Sequence, residues 1–260
     1  MAPLRAFSGI PAELPQARLV LHHAVQPVAA VGQGLLPRAH DDAQQALTLG
    51  PAGRLLGAPV AGGLRAGLDA VTLELLLCDA GGEPVARASL TGMTLAGAVA
   101  FLAGALSERG VRGAPVLPAH PADFPRHAIG AGARFPAVDR GALRALARLH
   151  ELSAPILEAL SGAVPRLWPH HLDLAVTTAR GGPSFTLGVS PGDGEDGLPY
   201  AYATPWPHPP REALPPLAGG GRWRTEGWFG AELPVASLDD PPQAQLADFF
   251  ESALRTSAKA

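Results

Sequence analysis

Five prolines between positions 115 and 136 (Pro115, Pro118, Pro121, Pro125 and Pro136) constrain this chain more than any other feature. Each lacks a backbone N–H and fixes its own φ, so no regular element can run through the segment. Residues 111–138 therefore read as a long crossing between residues 14–110, an N-terminal half, and residues 139–257, a C-terminal half. The two halves can share one core or hold two. A chain of 260 residues with 47% hydrophobic and 17% charged residues is long and apolar enough for either.

Strand-like patterns dominate both halves. Residues 17–31 (ARLVLHHAVQPVAAV), 45–50 and 69–78 read as extended, with 84–91 a partner strand after the Gly81-Gly82 turn. Residues 94–109 read as a helix, with Leu95, Val99, Leu102 and Leu106 on one face and Gly110 at its C-terminal cap. Asp139 suits the cap of a second helix, in which Pro155 predicts a kink or break. Residues 166–179, 184–190, 199–205 and 222–236 read as strands. A closing helix follows, with Asp240 as its cap and Pro241 in its first turn. The fold class expected is α+β with mainly antiparallel sheet, each half ending in a helix. LHHAVQPVA (21–29) and PHHLDLAVT (169–177) are locally alike, which makes a duplication of the halves one reading.

Composition narrows the function classes. Net charge is −3, so there is no basic surplus to neutralise phosphates, and nucleic acid is not an expected partner. The single cysteine, Cys78, excludes an internal disulfide and any thiolate-rich zinc site, and lies in an apolar run that suggests a buried thiol. The longest apolar stretch, residues 93–106, is shorter than the roughly 20 residues a membrane helix needs. MAPLRAFSGIPAELP has no continuous apolar core of a signal peptide, so a cytoplasmic protein without membrane contact is expected. Oligomeric state stays open.

GVSPG (188–192) fits the G-x-S-x-G pattern of a hydrolase nucleophile elbow at Ser190. Pro191 argues against that chemistry, because the residue after the nucleophile must donate its N–H to the oxyanion. Gly192, Gly194 and Gly197 also exclude the helix an elbow needs. A turn with Gly192 at positive φ is the simpler reading, with Ser190 and Asp193 satisfying nearby amides. The acidic GEDG (194–197) lacks the alternating oxygen ligands of a calcium loop. HDD (40–42) reads as a solvated turn.

RLWPHHLDLAV is the stretch richest in chemistry. On a strand, His171 and Asp173 share one face and Trp168 and His170 the other. A His-x-Asp pair with a distant histidine, His208, is a ligand set for a divalent metal, as in a non-haem iron site. The competing reading is a hydrogen-bonded polar pair. All four tryptophans and both tyrosines lie between 168 and 228, which suits a ligand groove or a core. Arg222 and Arg224 flank Trp223 and suit either an anion contact or a charged sheet edge.

LWPHHLDLA, GVSPGD, PYAYATPWP and WRTEGWFGAEL, in that order, resemble an uncharacterised bacterial domain-of-unknown-function family. Its members carry W-P-x-H-F-D-x-A, G-x-S-P-G-D, P-Y-x-Y-V-x-P-W and a W-x-x-x-F-G-A-like segment. The likeness covers residues 166–235, and the first half more loosely. Leu172 stands where the family has Phe, and Ala203 where Val is common. The resemblance implies marked positions at Trp168, His171, Asp173, Ser190, Asp193, Tyr200, Tyr202 and Trp206, and carries no activity. Three functions follow as expectations: small-molecule binding around these residues, a metal-dependent hydrolase or oxygenase using His171, Asp173 and His208, or a structural or partner-binding role.

Overall fold

A computed structural model describes residues 11–179, 182–193 and 197–256. The chain is α+β, with antiparallel sheets of five and six strands. It divides into two compact units: residues 12–148 with 166–172, and residues 149–165 with the chain from 173 onward. The division falls inside a helix and not at the proline-rich crossing, which belongs wholly to the first unit.

The first unit opens on two helices, α1 (Leu14–Ala24) and α2 (Gln26–Leu35), where the sequence suggests a strand. Pro15 and Pro27 sit in first turns, where a missing N–H costs nothing, and so suit the starts of these helices. Ala17 to Val31 is buried at nearly every position, which leaves no alternation to separate helix from strand. Gln26 locks the pair in place, donating to the carbonyls of His22 (2.8 Å) and Pro169 (2.7 Å).

A five-stranded meander follows: β1 (Thr48–Leu49), β2 (Arg54–Leu56), β3 (Arg65–Asp69), β4 (Glu74–Cys78) and β5 (Pro84–Ser89), paired in chain order. The expected strand at 69–78 is broken after Asp69. The Asp69 carboxylate accepts the N–H groups of Val71 and Thr72, both at 2.9 Å, and Leu73 takes φ 53°, which turns the chain into β4. The β4–β5 hairpin matches the sequence reading, with Gly82 at φ 86°. Cys78 is buried, and burial raises its thiol pKa.

Helix α3 (Leu95–Ser107) is capped by Thr94, whose hydroxyl accepts the Gly97 N–H at 3.0 Å. The proline-rich segment after it forms no helix or strand, yet it is pinned to its unit. Val116 donates to the Ala30 carbonyl at 2.9 Å, and Phe124 packs edge-on against His22 and His23 of α1. Helix α4 (Arg140–Ser161) begins where the sequence places it, with Asp139 accepting the Ala142 N–H at 2.8 Å. It runs through Pro155 as one helix instead of breaking there.

Gly32 of α2 shows how tightly the first unit is docked. A Cβ there would lie 1.8 Å from the Gln44 carbonyl oxygen, and backbone cannot move aside as a side chain can. Gly32→Ala is expected to cost about 3 kcal/mol through overpacking, read as a lowered urea midpoint.

Strand β6 (Arg166–Trp168) meets Leu47 through Leu167 in the first unit. The second unit holds β7 (Asp173–Ala179), β8 (Ser184–Ser190), β9 (Tyr200–Trp206), β10 (Arg222–Arg224) and β11 (Gly230–Pro234), adjacent in the order β10-β11-β9-β8-β7. One face is apolar and buried: Leu174 and Val176, Phe185, Leu187 and Val189, Ala201 and Ala203, Ala231 and Leu233. Helix α5 (Gln243–Ala253) packs against β9, bringing the bulky, fully buried Phe249 and Phe250 to the strand that carries the small Ala201 and Ala203. Its cap differs from expectation. The helix starts two residues beyond Pro241, Pro242 occupies the cap position, and the Gln245 side chain, not Asp240, takes a free amide, that of Asp239 at 2.6 Å.

The two look-alike stretches fold differently. LHHAVQPVA lies in α1 and α2, whereas PHHLDLAVT is a turn followed by β7. Their likeness therefore does not mark a repeated structural unit.

Candidate functional site

The other face of the second sheet is polar. Antiparallel pairing sets Ser190 opposite Tyr200, Gly188 opposite Tyr202, Tyr202 opposite Glu232, and Glu232 opposite Arg222. Cross-strand partners share a face, so these residues stand in rows. Asp173, which opens β7, continues the register beside Ser190.

Tyr202 is the centre of this face. Its hydroxyl donates to the Asp173 carboxylate. Its ring lies flat on Gly188, where a Cβ would come within 2.7 Å of the ring, and meets Trp228 edge-on at 6.0 Å. Only glycine leaves room for that ring. In the neighbouring row the Tyr200 hydroxyl donates to Asp193 at 2.5 Å. The Ser190 hydroxyl accepts the Gly192 N–H at 3.1 Å, and Gly192 has φ 111°. The GVSPG stretch is thus a strand end and a bend, as its proline and glycine require.

Burial raises the Tyr200 pKa, and the hydrogen bond to Asp193 raises it further. Burial and then the Asp173 charge do the same to Tyr202. Both phenols therefore stay protonated at neutral pH and act as hydrogen-bond donors, not as bases. The Tyr202 row continues through Glu232, only 7% exposed, which accepts from Arg222 Nε at 2.7 Å and has Arg224 at 3.9 Å. Beside them an open groove of about 530 Å³ is lined by Arg222, Trp223, Arg224, Thr225, Glu226 and Glu232.

Asp173, Ser190, Asp193, Tyr200 and Tyr202 are thus brought together as the sequence suggests. The other marked residues are not. Trp206 lies at the far end of β9, opposite Ser184, and is 66% exposed. Trp168 and His171 belong to the first unit, each with its ring edge-on to His170. The metal triad requires correction. His171 sits in an exposed turn, and Leu172 at φ 58° reverses the chain before β7, so no strand alternation aligns His171 with Asp173. His208 stacks on Phe229 at 4.5 Å. Among the described residues no group of three His, Cys, Asp or Glu side chains is arranged to hold a metal ion.

Trp228, one of the aromatics the sequence groups here, does reach this face, whereas sequence reasoning missed Glu232, which no motif singles out, and a histidine cluster in the first unit. There Phe124 packs edge-on against His22 (4.6 Å) and His23 (5.2 Å) and stacks on His120 (3.8 Å). His127 lies 5.5 Å from His23 and hydrogen-bonds Gln16 at 3.0 Å. The HDD stretch is the solvated turn expected, with Asp42 paired to Arg38 at 2.9 Å and Asp41 to Arg166 at 3.2 Å. In the GEDG segment, residues 194–196 lie outside the described residues. No helix among the described residues is long and apolar enough to cross a membrane.

No protein-family model, curated protein or solved structure matches the chain.

Proposed function

We propose that the chain binds a small molecule on the polar face of its C-terminal sheet. The observation that carries this reading is the pairing of each tyrosine with an aspartate, Tyr202 with Asp173 and Tyr200 with Asp193, in adjacent rows beside an open groove. Polar groups fixed by their own hydrogen bonds, with aromatic rings among them, are what small-ligand sites are built from. The motifs that carry the family resemblance contribute four of these residues and Ser190, which adds support. A metal-dependent reaction has no such support, because among the described residues no three His, Cys, Asp or Glu side chains are grouped to hold an ion.

The test is a thermal-shift screen of the whole chain against small acids, amines, sugars and nucleosides, repeated with Tyr200→Phe and Trp228→Ala. Compounds that raise the melting temperature of the parent chain are expected to bind about tenfold more weakly to both variants. Hits unaffected by either substitution would sink the reading.

A further inference from the structure

The geometry points to an oxyanion, a carboxylate or phosphate group, as what the groove beside β10 takes. This rests on the small-molecule reading above and names the chemical class of its ligand.

The carboxylates of the face already have donors from their own chain. Asp173 accepts from Tyr202, Asp193 from Tyr200, and Glu232 from Arg222. Cationic donors, by contrast, are left over. Arg222 takes Glu232 Oε1 through two of its nitrogens. Arg224 approaches Oε2 only to 3.9 Å, beyond hydrogen-bonding distance, and its side chain is 48% exposed. A guanidinium has five N–H donors in a planar fork that matches carboxylate and phosphate oxygens.

The fork is also held in position. The buried Glu232 carboxylate holds Arg222 through two nitrogens and attracts Arg224 electrostatically. Gly227, at φ 74°, leaves Arg224 Nη2 about 4.0 Å from where its Cβ would stand. A third arginine, Arg211, donates to the carbonyl of Thr225 at 2.7 Å, and Thr225 lines the groove. Charged side chains on a short edge strand serve to block sheet pairing wherever they point. Aiming two of them at one buried carboxylate goes beyond that need. A volume near 530 Å³ suits a small organic acid or phosphate ester. Exposed Glu226 also lines the groove and opposes an anion, which gives the assignment a second handle.

The experiment is amide NMR of the isotope-labelled full chain, titrated separately with inorganic phosphate and with succinate. Saturable shifts are expected at Arg224, Thr225 and Glu232 with at least one of the two, and the stronger binder tells phosphate from carboxylate. Arg224→Ala should weaken binding about tenfold or more, the loss of a charge-assisted hydrogen bond. Glu226→Gln should tighten it about two- to fivefold, because an exposed repulsion is removed. Shifts that fail to saturate, or that survive Arg224→Ala, would overturn the assignment. If neutral hits from the thermal screen move Tyr200 and Tyr202 while neither anion moves the groove, the anion assignment fails and the small-molecule reading stands. If no probe of any charge moves this face, both fail.

Discussion

Lowering the pH from about 7 to 4 is expected to remove several kcal/mol of stability through buried histidines alone. Burial, with His23 and Arg18 beside it, lowers the His22 pKa from 6.5 to about 3. Burial lowers that of His150, 1% exposed in α4, from 6.5 to about 4. Both are neutral in the fold and protonate readily once unfolded. Between pH 6.5 and those folded values the unfolded chain binds more protons, so stability is full above 6.5 and falls as pH falls. By pH 4 each site contributes a loss on the order of 3 kcal/mol. His23, His120, His127 and His170, all lowered first by burial, act in the same direction, while Asp123 and Asp42 near His170 oppose it there. Urea midpoints at about pH 7, 5.5 and 4.5 measure the slope. His22→Phe and His150→Leu should each flatten it, and parallel slopes in parent and variants would show that these imidazoles do not set it.

Tyr202→Ala is expected to cost about 3–5 kcal/mol, as truncation of a packed aromatic does. The substitution strips the ring from Gly188, removes the edge contact with Trp228 and takes the phenol donor from Asp173. Tyr202→Phe isolates the last effect. Asp173 is only 9% exposed, so losing this charged hydrogen bond should cost about 1–3 kcal/mol. Equilibrium unfolding at neutral pH gives both values. A Phe variant as unstable as the Ala variant would mean that the carboxylate's hydrogen bond, and not the ring, carries the packing. A neutral Ala variant would remove Tyr202 from the centre of the face.

How much of this was legible in the sequence depended on how local the signal was. Thr94, Asp139 and the Asp79–Gly82 turn act within four residues, and their elements lie where their residues say. Residues 17–31 misled because burial on all sides erases periodicity. Asp69 misled for the opposite reason: one side chain capturing two amides ends a strand that the apolar pattern would continue. The site divided in the same way. Tyr200 and Tyr202 could be placed because period-two alternation on β9 sets facing directly. His171 could not, since a single positive φ at Leu172 discards that alternation. Glu232 was invisible because its role comes from register across three strands, which no local pattern encodes.

The most direct test of the central claim is to map the strongest thermal-shift hit onto the full chain by amide NMR. Saturable perturbations are expected, centred on Ser190, Tyr200, Tyr202 and Glu232, and needing about tenfold more ligand in Tyr200→Phe. Perturbations centred on the histidine cluster around Phe124, or on α5 behind the sheet, would contradict it.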